Sequence, residues 1–359
     1  MTQKTKERQK NLDELRALAM MMVVVLHFLG KGNLLGDVTS ASMDSAGLAA
    51  WVLEAFCIVA VNCYMLLSGY FLCETEFKFS RLFKLYLQVW MYSVGIGLLA
   101  AATGFVPAAE VDTHYYLTLF CPVSMGHYWF MTAYLFLYVL LPVAGTAVKH
   151  MDRAQLRRSV LLVLAVFCVL KSVLPFRLEE DSVGYDVVWY LCVFLLAAYI
   201  RKYGLSLLNR RWRCVCLYLG GCILILAELF VLRAFYLRSG SFGLILKVSF
   251  EYNHVFALAA AVGLFGFFLH GKGAGMIGTV AEKLSPYVLG VYLLHENIGV
   301  RYGWQQFFHA EEIRTVPELL LWTVLAAVCM FAAGVAVEWL RSFLVKALSG
   351  ANAEAAWKR

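Results

Sequence analysis

The stretch whose reading decides the fold is Asn11-Leu-Asp-Glu-Leu-Arg16-Ala-Leu-Ala-Met-Met-Met-Val-Val-Val-Leu-His27-Phe-Leu29. It is apolar over a length that crosses a hydrocarbon core of roughly 30 Å as a helix, yet it holds Arg16 and His27. The two stand 11 residues apart. At 3.6 residues per turn that is close to three whole turns, so both side chains project from nearly one face, about 16 Å apart along the axis. An ionisable group inside a membrane span costs about 2.5 to 3.5 kcal/mol on insertion scales, and such residues are normally buried in protein and kept for a function.

Working outward, the composition sets the class. Hydrophobic residues make up 62% of the 359 and charged ones 15%, a balance that a soluble domain of this size does not keep. Apolar runs near 20 residues recur along the chain, which predicts an all-α, polytopic membrane helix bundle. A barrel is excluded, because its strands would alternate rather than run apolar. The first run follows a basic stretch without a small-residue cleavage site after it, so it reads as a retained span and not a signal peptide. Cys57, Cys63, Cys168, Cys192, Cys222 and Cys329 fall in apolar runs with no CxxC pair, as small buried hydrophobes rather than a disulfide or zinc framework.

About ten spans are expected, near 12-30, 48-72, 83-103, 127-146, 158-176, 187-203, 213-236, 252-270, 284-303 and 317-345. With a cytoplasmic N-terminus, the inner segments carry 23 of the 31 Lys and Arg, the outer ones 7, and Lys171 lies within a span. This is the positive-inside signature, and it places both termini in the cytoplasm: a basic tail over 1-11 and a C-terminal tail over 346-359. It also explains the net charge of +7 without nucleic acid, since the basic residues are dispersed among loops. The outer segment 104-126 has no Lys or Arg, while 177-186 holds Glu179, Glu180, Asp181 and Asp186. No Pro-, Gly- or Ser-rich linker breaks the chain, so a single domain over 1-359 is expected.

His27 titrates near neutrality and can serve as general base, acyl carrier or metal ligand; the plain alternative is a histidine hydrogen-bonded within a bundle. The aligned Arg16, with Asp13 one turn earlier as its partner, points toward function. Arg81 and Lys84, three apart at the entrance of the third span, are spaced to share a face and hold phosphates, or else only satisfy the positive-inside rule. His295, late in the ninth span and followed by Glu296, is a further candidate, and Glu54, Glu228, Lys171 and Arg233 are other ionisable groups in or near spans. No HExxH or paired histidine spacing appears, so no metal site is expected.

Together these residues resemble the membrane-bound acyltransferase-3 family, bacterial multi-spanning enzymes that O-acylate, chiefly O-acetylate, surface polysaccharides and related glycans. The likeness runs through nearly the whole chain. It is carried by Arg16, ten residues and His27; by Tyr64-Met-Leu-Leu-Ser68-Gly69-Tyr70-Phe71; by Arg81 and Lys84; by Tyr128-Trp129-Phe130 with Tyr138-Val-Leu-Leu-Pro142; and by Tyr292-Leu-Leu-His295. The family often has arginine where Lys84 stands, which keeps the charge but loses the bidentate fork. It often has proline after its late histidine, where this chain has Glu296.

The resemblance implies an O-acetyltransferase of the inner membrane. Acyl-CoA, most simply acetyl-CoA, would be its cytoplasmic donor substrate, with no tightly bound cofactor, and a glycan or lipid-linked sugar hydroxyl its acceptor. Arg81, Lys84 and Arg16 would meet the CoA phosphates, His27 with Arg16 would carry the catalysis, and Asp13, Ser68, Trp129, His295 and Glu296 would support them. A transporter or flippase of a glycan or small anionic metabolite would share the helices and intramembrane charges. A sensory membrane domain is weaker, because no soluble output domain follows.

Overall fold

The stretch Asn11–Leu29 lies inside one helix, α1 (Lys10–Lys31), that packs against six others and is buried on almost every side. Leu12, Leu15, Ala19, Val24, Phe28 and Leu29 are all closed off from solvent, so no single face points outward. A computed structural model describes residues 9–174, 182–271, 273 and 275–348 of the chain. The basic residues Lys4, Lys6 and Arg8, the acidic Glu179, Glu180 and Asp181, and the tail beyond 348 lie outside the described residues.

After α1 come α2 (Ser45–Cys57), α3 (Ala60–Leu72), α4 (Phe79–Ala102), α5 (Thr113–Phe120), α6 (Trp129–His150), α7 (Arg153–Leu164), α8 (Lys171–Val173), α9 (Val187–Tyr203), α10 (Arg211–Ser239), α11 (Val255–Leu269), α12 (Met276–Leu284), α13 (Val288–His295) and α14 (Val316–Leu348). Among the described residues there is no strand. α1 touches α2, α3, α11, α12, α13 and α14. Several helices start where an aspartate accepts a backbone N–H of the first turn: Asp44 from Gly47, Asp112 from Tyr115, Asp152 from Gln155 and Asp186 from Trp189.

Six helices among the described residues are long and apolar enough to cross a membrane: Ser45–Leu72, Phe79–Ala102, Trp129–His150, Arg211–Ser239, Gly243–Leu269 and Val316–Ala347. The other four expected spans fall on elements of a different kind. α1 carries Asp13, Glu14 and Arg16 in its first half, and α9 is 17 residues long with most of its side chains buried in the bundle. The stretch expected at 158-176 passes from α7 through a π-helical segment, Ala165–Leu170, into α8. The stretch expected as one span at 284-303 is not a single helix. α12 leads through a 3-10 turn at Ser285–Tyr287 into α13, which stops at His295, and residues 296–303 turn back. Pro286, without an N–H, tightens the turn at the start. Asn297 stops the helix at the other end, because its carboxamide oxygen accepts the N–H of Gly299.

Small residues set how closely the helices approach, as they do where lipid supplies no hydrophobic drive for association. A Cβ on Gly334 of α14 would lie 2.3 Å from Val291 Cα on α13, and one on Gly263 of α11 would lie 2.6 Å from Tyr218 N on α10. Cys57, Cys63, Cys168, Cys192 and Cys222 are buried free thiols, as expected; Cys329 on α14 is exposed on the outside of the bundle. Other ionisable groups are tied down locally. Lys171 is ion-paired with Glu251, His254 Nε2 lies 3.3 Å from Glu228, and Arg233 donates to the carbonyl of Ser40.

Candidate active site

α1, α3, α4, α6 and the α12–α13 segment enclose a cavity of about 370 Å³, within the size range of small-molecule sites. Arg16, His27, Ser68, Arg81, Lys84 and Trp129 all line it, although they come from four different helices. Asp13, His295 and Glu296 do not line it; they stand behind Arg16 and His27 and hold them.

One end of the cavity is cationic. Arg16 Nη1 donates to Asp13 Oδ1 at 2.6 Å and to Ser285 Oγ at 2.5 Å, and Ser285 Oγ donates in turn to the same Asp13 oxygen at 2.6 Å. Asp13 is only 3% exposed, so this closed triangle compensates its burial and fixes the guanidinium. Nη1 makes both bonds. Tyr64 closes the back by donating to the Arg16 carbonyl at 2.6 Å. Arg81 sits 5.5 Å above the ring of Tyr138, on the third residue of α4, and Lys84 follows one turn later. Tyr134 lines the wall within electrostatic reach of both Arg16 and Arg81. Two cationic side chains beside the positive end of the α4 dipole make a place for an anion.

At the other end, the hydrogen bonds assign the tautomer of His27. His295 is fully buried, and its Nδ1 lies 2.6 Å from the carbonyl oxygen of Val291, which can only accept. His295 therefore carries its proton on Nδ1, and its Nε2 is an acceptor. That Nε2 lies 2.9 Å from Nδ1 of His27, so His27 must donate from Nδ1. Glu296 Oε1, 3.2 Å from the same nitrogen, is a second acceptor and supports this assignment. In the neutral ring the free lone pair of His27 is then on Nε2, and the residue lines the cavity. Glu296 is itself held by an ion pair with Lys31, which lies 5.6 Å over the ring of Tyr302.

The turn that carries Glu296 is anchored from below. Asn297 donates from Nδ2 to the hydroxyl of Tyr128 and the carbonyl of Tyr92, each at 3.0 Å, and Tyr128 donates to the Leu293 carbonyl at 2.9 Å. His127 accepts the N–H of Ile298 at 2.7 Å on Nε2, so its Nδ1–H faces Ser93 at 2.9 Å. No site role was read from the sequence for Lys31, Asn297, Ser285 or Tyr64, although Tyr64 begins one of the motifs quoted above. Lys31 carried a signal all the same, since it stands four residues after His27 on the same helical face.

His27, His295 and Glu296 also bring three donor atoms within 4.8 Å of one another, a set that could ligate a cation and that no sequence motif announced. In the observed geometry these atoms satisfy one another instead. The two ring nitrogens are at hydrogen-bond distance and the carboxylate faces the Lys31 ammonium.

Compared with known families, the chain matches the model of acyltransferase-3, described as an acyltransferase domain, over residues 9–340. No curated protein and no solved structure matches it.

Proposed function

The chain belongs to the acyltransferase-3 family, and from that premise we propose that this acyltransferase moves an acetyl group from cytoplasmic acetyl-CoA to a hydroxyl of an extracytoplasmic or lipid-linked glycan. The observation that carries the reading is the single cavity with Arg16, Arg81 and Lys84 at one end and a base-form His27 toward the other. The phosphates of CoA would lie at the cations, and the pantetheine arm would run along the roughly 16 Å between the levels of Arg16 and His27.

In the proposed reaction His27 Nε2 takes the proton of the acceptor hydroxyl as its oxygen attacks the thioester carbonyl carbon. The tetrahedral intermediate collapses with cleavage of the carbon–sulfur bond, and the proton on Nε2 passes to the leaving thiolate. The products are the O-acetyl ester and free CoA thiol. Throughout, Nδ1 stays protonated, and Glu296 offers a carboxylate to the imidazolium that forms between the two proton transfers. The same tautomer would also present Nε2 as a nucleophile, so an acyl-histidine route uses the identical arrangement. A transporter reading loses ground to the family match.

Purified protein given radiolabelled acetyl-CoA without acceptor should release labelled acetate slowly by hydrolysis, and faster transfer should follow when glycan is added. Release no faster than in buffer, with no transfer, would overturn the donor assignment. The proposed placement in the inner membrane, with both termini cytoplasmic, is checked by cysteine labelling. A Glu180→Cys protein should react with an impermeant reagent in intact cells, and reaction only after permeabilisation would invert the topology.

A further inference from the structure

Beside His27 the cavity changes character. Trp129 and Tyr252 both line it, their rings stacked within 18° of parallel at a centroid distance of 5.7 Å. Tyr185 closes against them, 4.3 Å from Trp129 and 4.8 Å from Tyr252, and is 44% exposed. Gly184 holds Tyr185 in place. Its φ of +89° is a left-handed conformation, and a Cβ there would lie 2.7 Å from Tyr252 Cβ, so only glycine lets the loop lie so close. Asn62 pins the backbone from the other side, donating to the Tyr252 carbonyl at 2.7 Å and accepting from Trp189 Nε1 at 2.9 Å.

The aromatic group lies far from the cations. Trp129 precedes Tyr138, the ring under Arg81, by nine residues on α6, about 13 Å along the axis. It lies instead at the level of the histidines, because Tyr292 packs 6.1 Å from His295 and 6.2 Å from Phe130. The cations that line the cavity are Arg16, Arg81 and Lys84, all at the opposite end, so no cation lines the wall beside these rings.

We propose that Trp129 and Tyr252, with Tyr185 packed against both rings, form the acceptor subsite and take a neutral pyranose ring. The electron-rich ring faces match the partly positive axial C–H edges of a sugar. A hydroxyl of the stacked ring would then stand next to His27 Nε2, while the thioester arrives from the cationic end. This deepens the reading given above and rests on it.

Saturation-transfer NMR on the full chain in detergent, with methyl β-D-glucopyranoside, methyl β-D-galactopyranoside and methyl N-acetyl-β-D-glucosaminide as probes, tests the subsite without turnover. For at least one probe, ring C–H protons should receive saturation. The signal should fall fivefold or more in Trp129→Ala and in Tyr185→Ala, whose side chain is half-exposed and whose loss leaves the bundle intact. The Arg81→Ala/Lys84→Ala double variant should leave it unchanged. Acetyl-CoA binding by calorimetry, retained in Trp129→Ala and Tyr185→Ala, shows that these proteins are folded. No saturation of any probe in a wild-type protein that binds acetyl-CoA would overturn the subsite alone, as would equal saturation in both aromatic variants. Failure of the wild type to bind acetyl-CoA would strike the donor reading instead.

Discussion

The two ends of the cavity are built on opposite physical terms. At the Arg16 end the groups are mainly charged and held by charge-assisted bonds: a buried carboxylate, a guanidinium and a serine hydroxyl close a triangle, and Arg81 and Lys84 add positive potential at the mouth of α4. At the Trp129 end the wall is aromatic, positioned by ring packing and by backbone carbonyls. His27 stands between them with its protonation pattern dictated from behind. The difference teaches that one helix can serve two chemistries. α1 presents a cation to one half of the cavity and a base to the other, and the intervening three turns supply the distance.

If this division is right, the largest effect belongs to the group at the junction. His27→Ala should lower acyl transfer by at least about 100-fold, the low end of what a positioned base contributes, with acetyl-CoA affinity unchanged. Steady-state transfer and calorimetry on the same preparation check both halves of the statement. Near wild-type transfer would remove His27 from the chemistry and collapse the comparison to two binding surfaces.

His295→Ala should come next, at about 10-fold or more in kcat, since it frees the His27 ring and its tautomer while leaving the donor end untouched. His295→Gln, which can still present a carbonyl oxygen to Nδ1, should recover part of the loss. A purely packing role would not discriminate between the two replacements, so equal defects would contradict the tautomer argument. Arg81→Ala with Lys84→Ala should act on the other side of the comparison. It should raise KM for acetyl-CoA tenfold or more, about 1.4 kcal/mol, with kcat little changed. Charge-assisted bonds to phosphate contribute on the order of 1.5 to 3 kcal/mol each, so a tenfold loss is a modest demand. Unchanged affinity would return both residues to the positive-inside rule.

Much of this was legible in the chain. The three-turn spacing of Arg16 and His27 requires only helical geometry, and both line one cavity as that spacing implies. Arg81 and Lys84 were equally readable, because residues three apart on one helix share a face whatever surrounds them. What the sequence hid was contact between distant segments. That Val291 would set the tautomer of His27 through His295 depends on α13 packing against α1, and the close passage of Gly334 over Val291 helps to seat α13 there. The span expected at 284-303 misled for a related reason. Its apolar content is real, but Pro286 and Asn297 break it into a turn, a short helix and a reversal, and that reversal is what brings Glu296 to His27. Tyr185 and Tyr252 stand 67 residues apart, and no local pattern announces that they meet.

The most direct test of the central claim is a structure of the wild-type protein with acetyl-CoA bound. The account predicts the phosphates against Arg81 and Lys84, the pantetheine arm along α1, and the thioester carbonyl carbon close to His27 Nε2. Enough room should remain there for a hydroxyl oxygen to approach the carbon at about 3 to 3.5 Å. Phosphates lodged at Trp129 and Tyr252, or a donor bound outside the cavity, would contradict it.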